Sequence, residues 1–168
     1  MGTMQSPSVA RLGHVGLYCT DAERMRDFYV EILGFTVTDA DPERHLYFLS
    51  ADPAYDHHML VLVDGRTAPS EVKLVQQVSW RCETLQDVLN LHQRLRAAAT
   101  RFDRIVSHGN AIGVYFLDPD GNRTEVYWPT GLDAQQPFSQ VIDLDGSPEA
   151  VFEQAREGVA LRHAGQAR

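Results

Sequence analysis

An α+β fold is predicted, in which two tandem βαβββ modules curl a half-barrel sheet around a groove and a C-terminal helical tail follows. Three features predict it. The chain repeats itself, each copy reads strand, helix and three further strands, and 168 residues suffice for one domain built of two small halves. The repeat opens with Leu12-Gly13-His14-Val15-Gly16-Leu17-Tyr18-Cys19. Val75-Gln76-Gln77-Val78-Ser79-Trp80-Arg81-Cys82 echoes it at an offset of 63 residues, which the two cysteines share.

In each copy, side chains alternate as a half-buried strand requires, and a helical pattern follows over 22–33 and 85–99. Thr20 or Asp21 can cap the first helix and Thr84 the second, while Gly34 stands where a C-cap glycine would. Strand character resumes at Phe35-Thr36-Val37-Thr38. Leu46-Tyr47-Phe48-Leu49 then matches Val114-Tyr115-Phe116-Leu117, and each leads through a turn to a last strand. Those last strands are His58-Met59-Leu60-Val61-Leu62-Val63 and Glu125-Val126-Tyr127-Trp128. Residues 11–130 therefore read as a single domain, with module one at 11–64, a polar linker at 65–71 and module two at 72–130. Residues 131–168 form a C-terminal extension. Its acidic helix from Pro148 to about Leu161 carries Val151, Phe152 and Val159 as the apolar stripe, and Gln136-Pro137-Phe138 is read as a lid or a dimer pad.

Composition excludes several functions. With 23 acidic and 15 basic residues the net charge is -8, which repels phosphate backbones and anionic lipid, so neither nucleic acid nor a membrane is expected as a partner. No apolar run is long enough to span a bilayer, and the start lacks a secretory pattern, so a cytoplasmic location is expected. Met1-Gly2-Thr3-Met4-Gln5-Ser6 fits the permissive myristoylation pattern, with an alternative start at Met4 the plainer reading. Cys19 and Cys82 sit in apolar strands as small buried thiols, not as a disulfide framework.

Two bare sheet faces that curl together create a groove, and ionisable side chains facing it are where chemistry belongs. His14 on a first strand and Glu125 on a last strand both look out of place in a plain core. The repeat puts Gln77 at the position equivalent to His14. Tyr115 to Glu125 is ten residues, and Tyr47 to His57 or His58 is ten or eleven, so one of that pair falls near the equivalent of Glu125. Imidazole, carboxylate and amide oxygen around one point suit a divalent first-row metal: Fe(II), Mn(II), Ni(II), Co(II) or Zn(II). His57, adjacent to His58 on a strand, should point to the opposite face. His45, His92 and His163 receive no role, His92 being placed on a helix surface.

These residues resemble the vicinal oxygen chelate superfamily, which includes glyoxalases, extradiol dioxygenases, epimerases and bleomycin-resistance proteins. Gly13-His14-Val15-Gly16-Leu17, Phe28-Tyr29-Val30-Glu31-Ile32-Leu33-Gly34-Phe35 and Tyr115-Phe116-Leu117-Asp118-Pro119-Asp120-Gly121-Asn122 carry the likeness. Within it, 47–62 and 107–115 look most like the catalytic domain of extradiol ring-cleavage dioxygenases. The resemblance implies metal ligands at His14, Gln77 and Glu125, with Fe(II) first among the metals and glutamine standing where that family has a second histidine. It also implies catalytic positions at His58, Tyr115 and His108, a small aromatic substrate with dioxygen, and a homodimer. The glutamine keeps two other readings open. One is a glyoxalase- or epimerase-like non-oxidative metal enzyme, with His58 as base or fourth ligand. The other is a metal-free small-molecule binding or resistance protein, whose groove is lined by Trp80, Tyr115 and Tyr127.

Overall fold

The computed structural model describes residues 11–166, so the myristoylation-like start lies outside the described residues. The first half contains β1 (Val15–Cys19), α1 (Ala22–Glu31), β2 (Thr36–Asp41), β3 (Leu46–Ser50) and β4 (Leu60–Asp64). The second contains β5 (Val78–Arg81), α2 (Leu85–Ala97), β6 (Phe102–Ser107), β7 (Ala111–Leu117) and β8 (Arg123–Pro129), followed by β9 (Gln140–Val141) and α3 (Pro148–Gln166). This is the predicted α+β architecture. Its strands form two open mixed sheets, ordered β1-β4-β3-β2 and β5-β8-β7-β6-β9. In each, the first strand runs parallel to the last of its module and the remaining pairs are antiparallel.

Local chemistry sets the helix ends. Asp21 caps α1 by accepting from Arg24 N at 2.9 Å, and Thr84 with Asp87 forms a reciprocal capping box on α2. Gly34, at φ +80°, takes the left-handed conformation that turns the chain out of α1. Both helices are shorter than their periodicity implies, because 32–34 and 98–100 leave the helix for its C-terminal turn.

Each module has its own interior, one around Met25, Tyr29, Leu49, Leu60 and Leu62, the other around Val88, Leu95, Ile112, Val114 and Phe116. Phe28, Leu33 and Trp80 touch both, which joins the two into one core. The turn after β7 adds polar bonds across the modules. Buried Asp120 accepts from Thr20 N at 2.7 Å, from the Thr20 hydroxyl and from Arg24 at 2.9 Å. Asp118 accepts from the backbone N–H groups of Asp120 and Asn122 and from the Asn122 amide, and burial pushes its carboxyl up to about 6. Cys19 and Cys82 are free and buried, and burial pushes their thiols up to about 12 and about 11.

The C-terminal segment extends the second module. β9 pairs with the outer edge of β6, and α3 buries Val151, Ala155 and Val159 at four-residue spacing while Phe152 packs on Trp128 of its own chain. The predicted helix thus runs on to Gln166, and Ala155 joins Val151, Phe152 and Val159 in its apolar stripe. His92 is a correction. It is 7% exposed on the inner face of α2 against Phe102, and burial lowers its pKa. No helix among the described residues is long and apolar enough to cross a membrane.

Candidate functional site

Strand register places the site. Ser79 of β5 lies opposite Glu125 of β8, Glu125 opposite Tyr115 of β7, and Tyr115 opposite Arg104 of β6. Partners in register share a face, so these four form one row across the second sheet. Gln77 joins the row from just before β5, two residues from Ser79. Its Nε2 donates to Glu125 Oε2 at 3.0 Å and to Ser79 Oγ at 2.8 Å, and the Ser79 hydroxyl donates to the same carboxylate oxygen at 2.6 Å.

Glu125 is only 6% exposed, and among the described residues no cationic side chain pairs with it. A buried carboxylate held by neutral donors alone carries a desolvation cost that a cation would relieve. Space for it comes from Gly113 on β7, where a Cβ would stand 2.5 Å from Glu125 Oε1.

A second group comes from the first module. His14 precedes β1, and the Val15 N–H donates to the Met59 carbonyl at 3.0 Å, which draws 57–59 alongside. The His14 and His58 rings consequently meet with centroids 4.5 Å apart. Burial, then the neighbouring His14 and His57, lower the His58 pKa and favour its neutral form. His57 does not point away as strand alternation implies. β4 begins only at Leu60, so 57–58 lie in a loop, and the two Nδ1 atoms are 2.9 Å apart, within hydrogen-bond reach.

A pocket of about 530 Å³ brings the groups together, with His14, Phe35, Met59, Gln77, Ser79 and Trp80 on its walls. Glu125 lies one hydrogen bond further in, through Gln77 and Ser79. Tyr115 and Tyr127, predicted as lining residues, are not on these walls. Among the described residues no three His, Cys, Asp or Glu side chains cluster as a metal cage, so a cation here needs the Gln77 amide as a donor.

Tyr115 and His108 form the third group. His108 Nε2 lies 3.1 Å from the Tyr115 hydroxyl, and Arg104 and Arg123 sit 4.5 and 4.9 Å from the Tyr115 ring centre. Burial and then Glu125 push the Tyr115 phenol up to about 12, so it holds its proton at neutral pH. All six predicted positions thus fall into three contacting pairs: His14 with His58, Gln77 with Glu125, and Tyr115 with His108. No direct hydrogen bond joins the first pair to the second among the described residues. Sequence reasoning missed Ser79 and Gly113, although each stands two residues from a chosen position and period two places it on the same face.

Residues 11–126 match the profile of the Glyoxalase/Bleomycin resistance protein/Dioxygenase superfamily. The chain is 27% identical over 136 residues to a 1,2-dihydroxynaphthalene dioxygenase of Sphingobium xenophagum, covering 78% of this chain and 43% of that protein. It is 27% identical over 123 residues to a manganese-dependent 2,3-dihydroxybiphenyl 1,2-dioxygenase of Geobacillus genomosp. 3, covering 71% and 37%. The chain therefore spans less than half the length of these relatives. In fold it is similar to a lactoylglutathione lyase from Agrobacterium tumefaciens, with a TM-score of 0.56, 19% identity, and 73% and 96% of the two chains covered. The match spans both modules and every strand of the row that holds Glu125, and the chain belongs to the Glyoxalase/Bleomycin resistance protein/Dioxygenase superfamily.

Proposed function

We propose that this chain is a metal-dependent dioxygenase of the extradiol type, opening a catecholic or related aromatic ring with dioxygen. The observation that carries the reading is Glu125, a buried carboxylate with neutral partners only, one hydrogen bond from a pocket that His14 also lines. Imidazole from His14, the Gln77 amide oxygen and the Glu125 carboxylate suit a divalent first-row cation, Fe(II) or Mn(II) foremost. Such an ion supplies open positions at which an ionised catecholate and dioxygen gather. Residues 11–130 are the catalytic unit of this proposal, and it works on dissolved small molecules.

The chain's own residues supply the rest. Apolar walls from Phe35, Met59 and Trp80 fit a planar ring and exclude water from it. His58, kept neutral by burial and by its two histidine neighbours, can take a proton from a catechol hydroxyl as the ring oxygen ionises. Tyr115 keeps its proton at neutral pH and supplies a hydroxyl on the Glu125 row to orient a ring oxygen.

Gln77 favours a second reading, a non-oxidative isomerase, epimerase or glyoxalase-like enzyme. An amide oxygen is a weaker, uncharged donor than imidazole, and lyase and isomerase chemistry does not need an iron redox couple. Oxygen uptake separates the two. Protein loaded with Fe(II) or Mn(II) is expected to consume oxygen in step with the loss of 2,3-dihydroxybiphenyl or 1,2-dihydroxynaphthalene. Metal-loaded protein that leaves oxygen untouched with every catechol would overturn the dioxygenase reading. His58→Ala is expected to keep its metal and lose roughly 10²-fold or more in rate.

A further inference from the structure

His108 is held from the far side by the C-terminal segment. Its Nδ1 lies 2.8 Å from the Phe138 carbonyl, and its own carbonyl accepts from Gln136 Nε2 at 2.8 Å. Gln136 Oε1 in turn accepts from Phe138 N at 3.2 Å, which closes a small ring of hydrogen bonds between 136–138 and His108. The next residue is clamped as well. Gly109, at φ +72°, leaves no room for a Cβ, which would collide with Ala134 and crowd Val159 of α3. Phe138 itself is 8% exposed, and the Thr130 hydroxyl donates to the Gly109 carbonyl at 2.5 Å.

A carbonyl only accepts, so the Phe138 contact puts the imidazole proton on Nδ1. In neutral His108 the lone pair is then on Nε2, and Nε2 faces the Tyr115 hydroxyl at 3.1 Å. In that tautomer Nε2 can only accept from the Tyr115 hydroxyl, which stands beside Glu125 in the row. We propose that residues 134–138 of the C-terminal extension are a positioning element that fixes His108 as the Nδ1–H tautomer and so makes its Nε2 the hydrogen-bond acceptor behind Tyr115.

The proposal rests on the reading that Tyr115 and His108 serve the site proposed above. A C-terminal extension that looks like mere padding thereby sets the direction of a hydrogen bond in the site.

The test is imidazole nitrogen NMR on the full chain labelled with ¹⁵N-histidine, free of metal and substrate, in mildly alkaline buffer. The His108 signals are assigned by their loss in His108→Gln. Wild type is expected to show the neutral Nδ1–H tautomer, Tyr115→Phe to keep it, and Gln136→Ala and Phe138→Gly to shift toward Nε2–H. An Nε2–H tautomer in wild type would overturn the proposal, and so would an Nδ1–H tautomer that persists in both segment variants. Because neither metal nor oxygen enters the measurement, its failure is distinct from failure of the dioxygenase reading, which the oxygen-uptake assay decides.

Discussion

Gly113 and Glu125 face each other across β7 and β8 so closely that a Cβ on the glycine would stand 2.5 Å from the carboxylate oxygen. The Gly113 backbone is not in the left-handed region, so the carboxylate, rather than conformational freedom, is what demands glycine there. Gly113→Ala is therefore expected to cost about 1–3 kcal/mol in urea unfolding through overpacking. The Gly113→Ala/Glu125→Ala pair should recover most of that loss in a double-mutant cycle. Additive costs would show that the two side chains do not compete for space.

Gln77→His replaces an amide that donates to Glu125 with a stronger nitrogen ligand. The expected result is a gain in Fe(II) affinity, read by titration of metal-free protein, together with faster ring cleavage if the dioxygenase reading holds. Unchanged metal affinity would remove position 77 from the set of donors. Ser79→Ala, which removes the 2.6 Å bond to the carboxylate, should lower metal affinity by roughly 10–100-fold.

Asp118 gives the fold a pH dependence of defined sign. Burial raises its carboxyl from 3.8 to about 6, so its contribution to stability is complete below the unfolded value and is lost as pH rises through about 6. The full effect is about 3 kcal/mol at most. Asparagine keeps an acceptor for the Asp120 and Asn122 N–H groups and carries no charge. Asp118→Asn should thus gain on wild type as pH rises from about 4 to about 7 and level off above. Urea midpoints measured across that range decide it, and a difference independent of pH would contradict the assignment.

The link between modules is asymmetric in strength. Asp120 is buried and accepts three bonds from Thr20 and Arg24, whereas the Arg24 side chain is 53% exposed. Asp120→Ala removes the buried acceptor that joins the modules, while the exposed Thr20 and Arg24 donors can turn to water, and is expected to cost about 1–3 kcal/mol. Arg24→Ala should cost under about 1 kcal/mol in the same unfolding measurement. Equal costs would mean that the guanidinium, not the Thr20 donors, makes the link.

Much of this was legible before any coordinates. The shared offset of Cys19 and Cys82 revealed two copies, and the repeat paired Gln77 with His14, although the two stand just before β5 and β1 rather than within them. What stayed hidden depends on register between distant strands or on loops. Ser79 and Gly113 matter only because β5, β7 and β8 align them with Glu125. His57 escaped because strand alternation does not hold before Leu60, and His92 because a buried imidazole among polar neighbours reads as surface. The Phe138 carbonyl has no sequence signature at all, since any residue supplies one.

Bound metal is the most direct test of the central claim that His14, Gln77 and Glu125 hold a divalent cation. Elemental analysis of anaerobically purified wild type should find stoichiometric iron or manganese, and Glu125→Ala should lose it while staying folded. Wild-type protein that is empty and cannot be loaded, or a Glu125→Ala variant that keeps its metal, would contradict the claim.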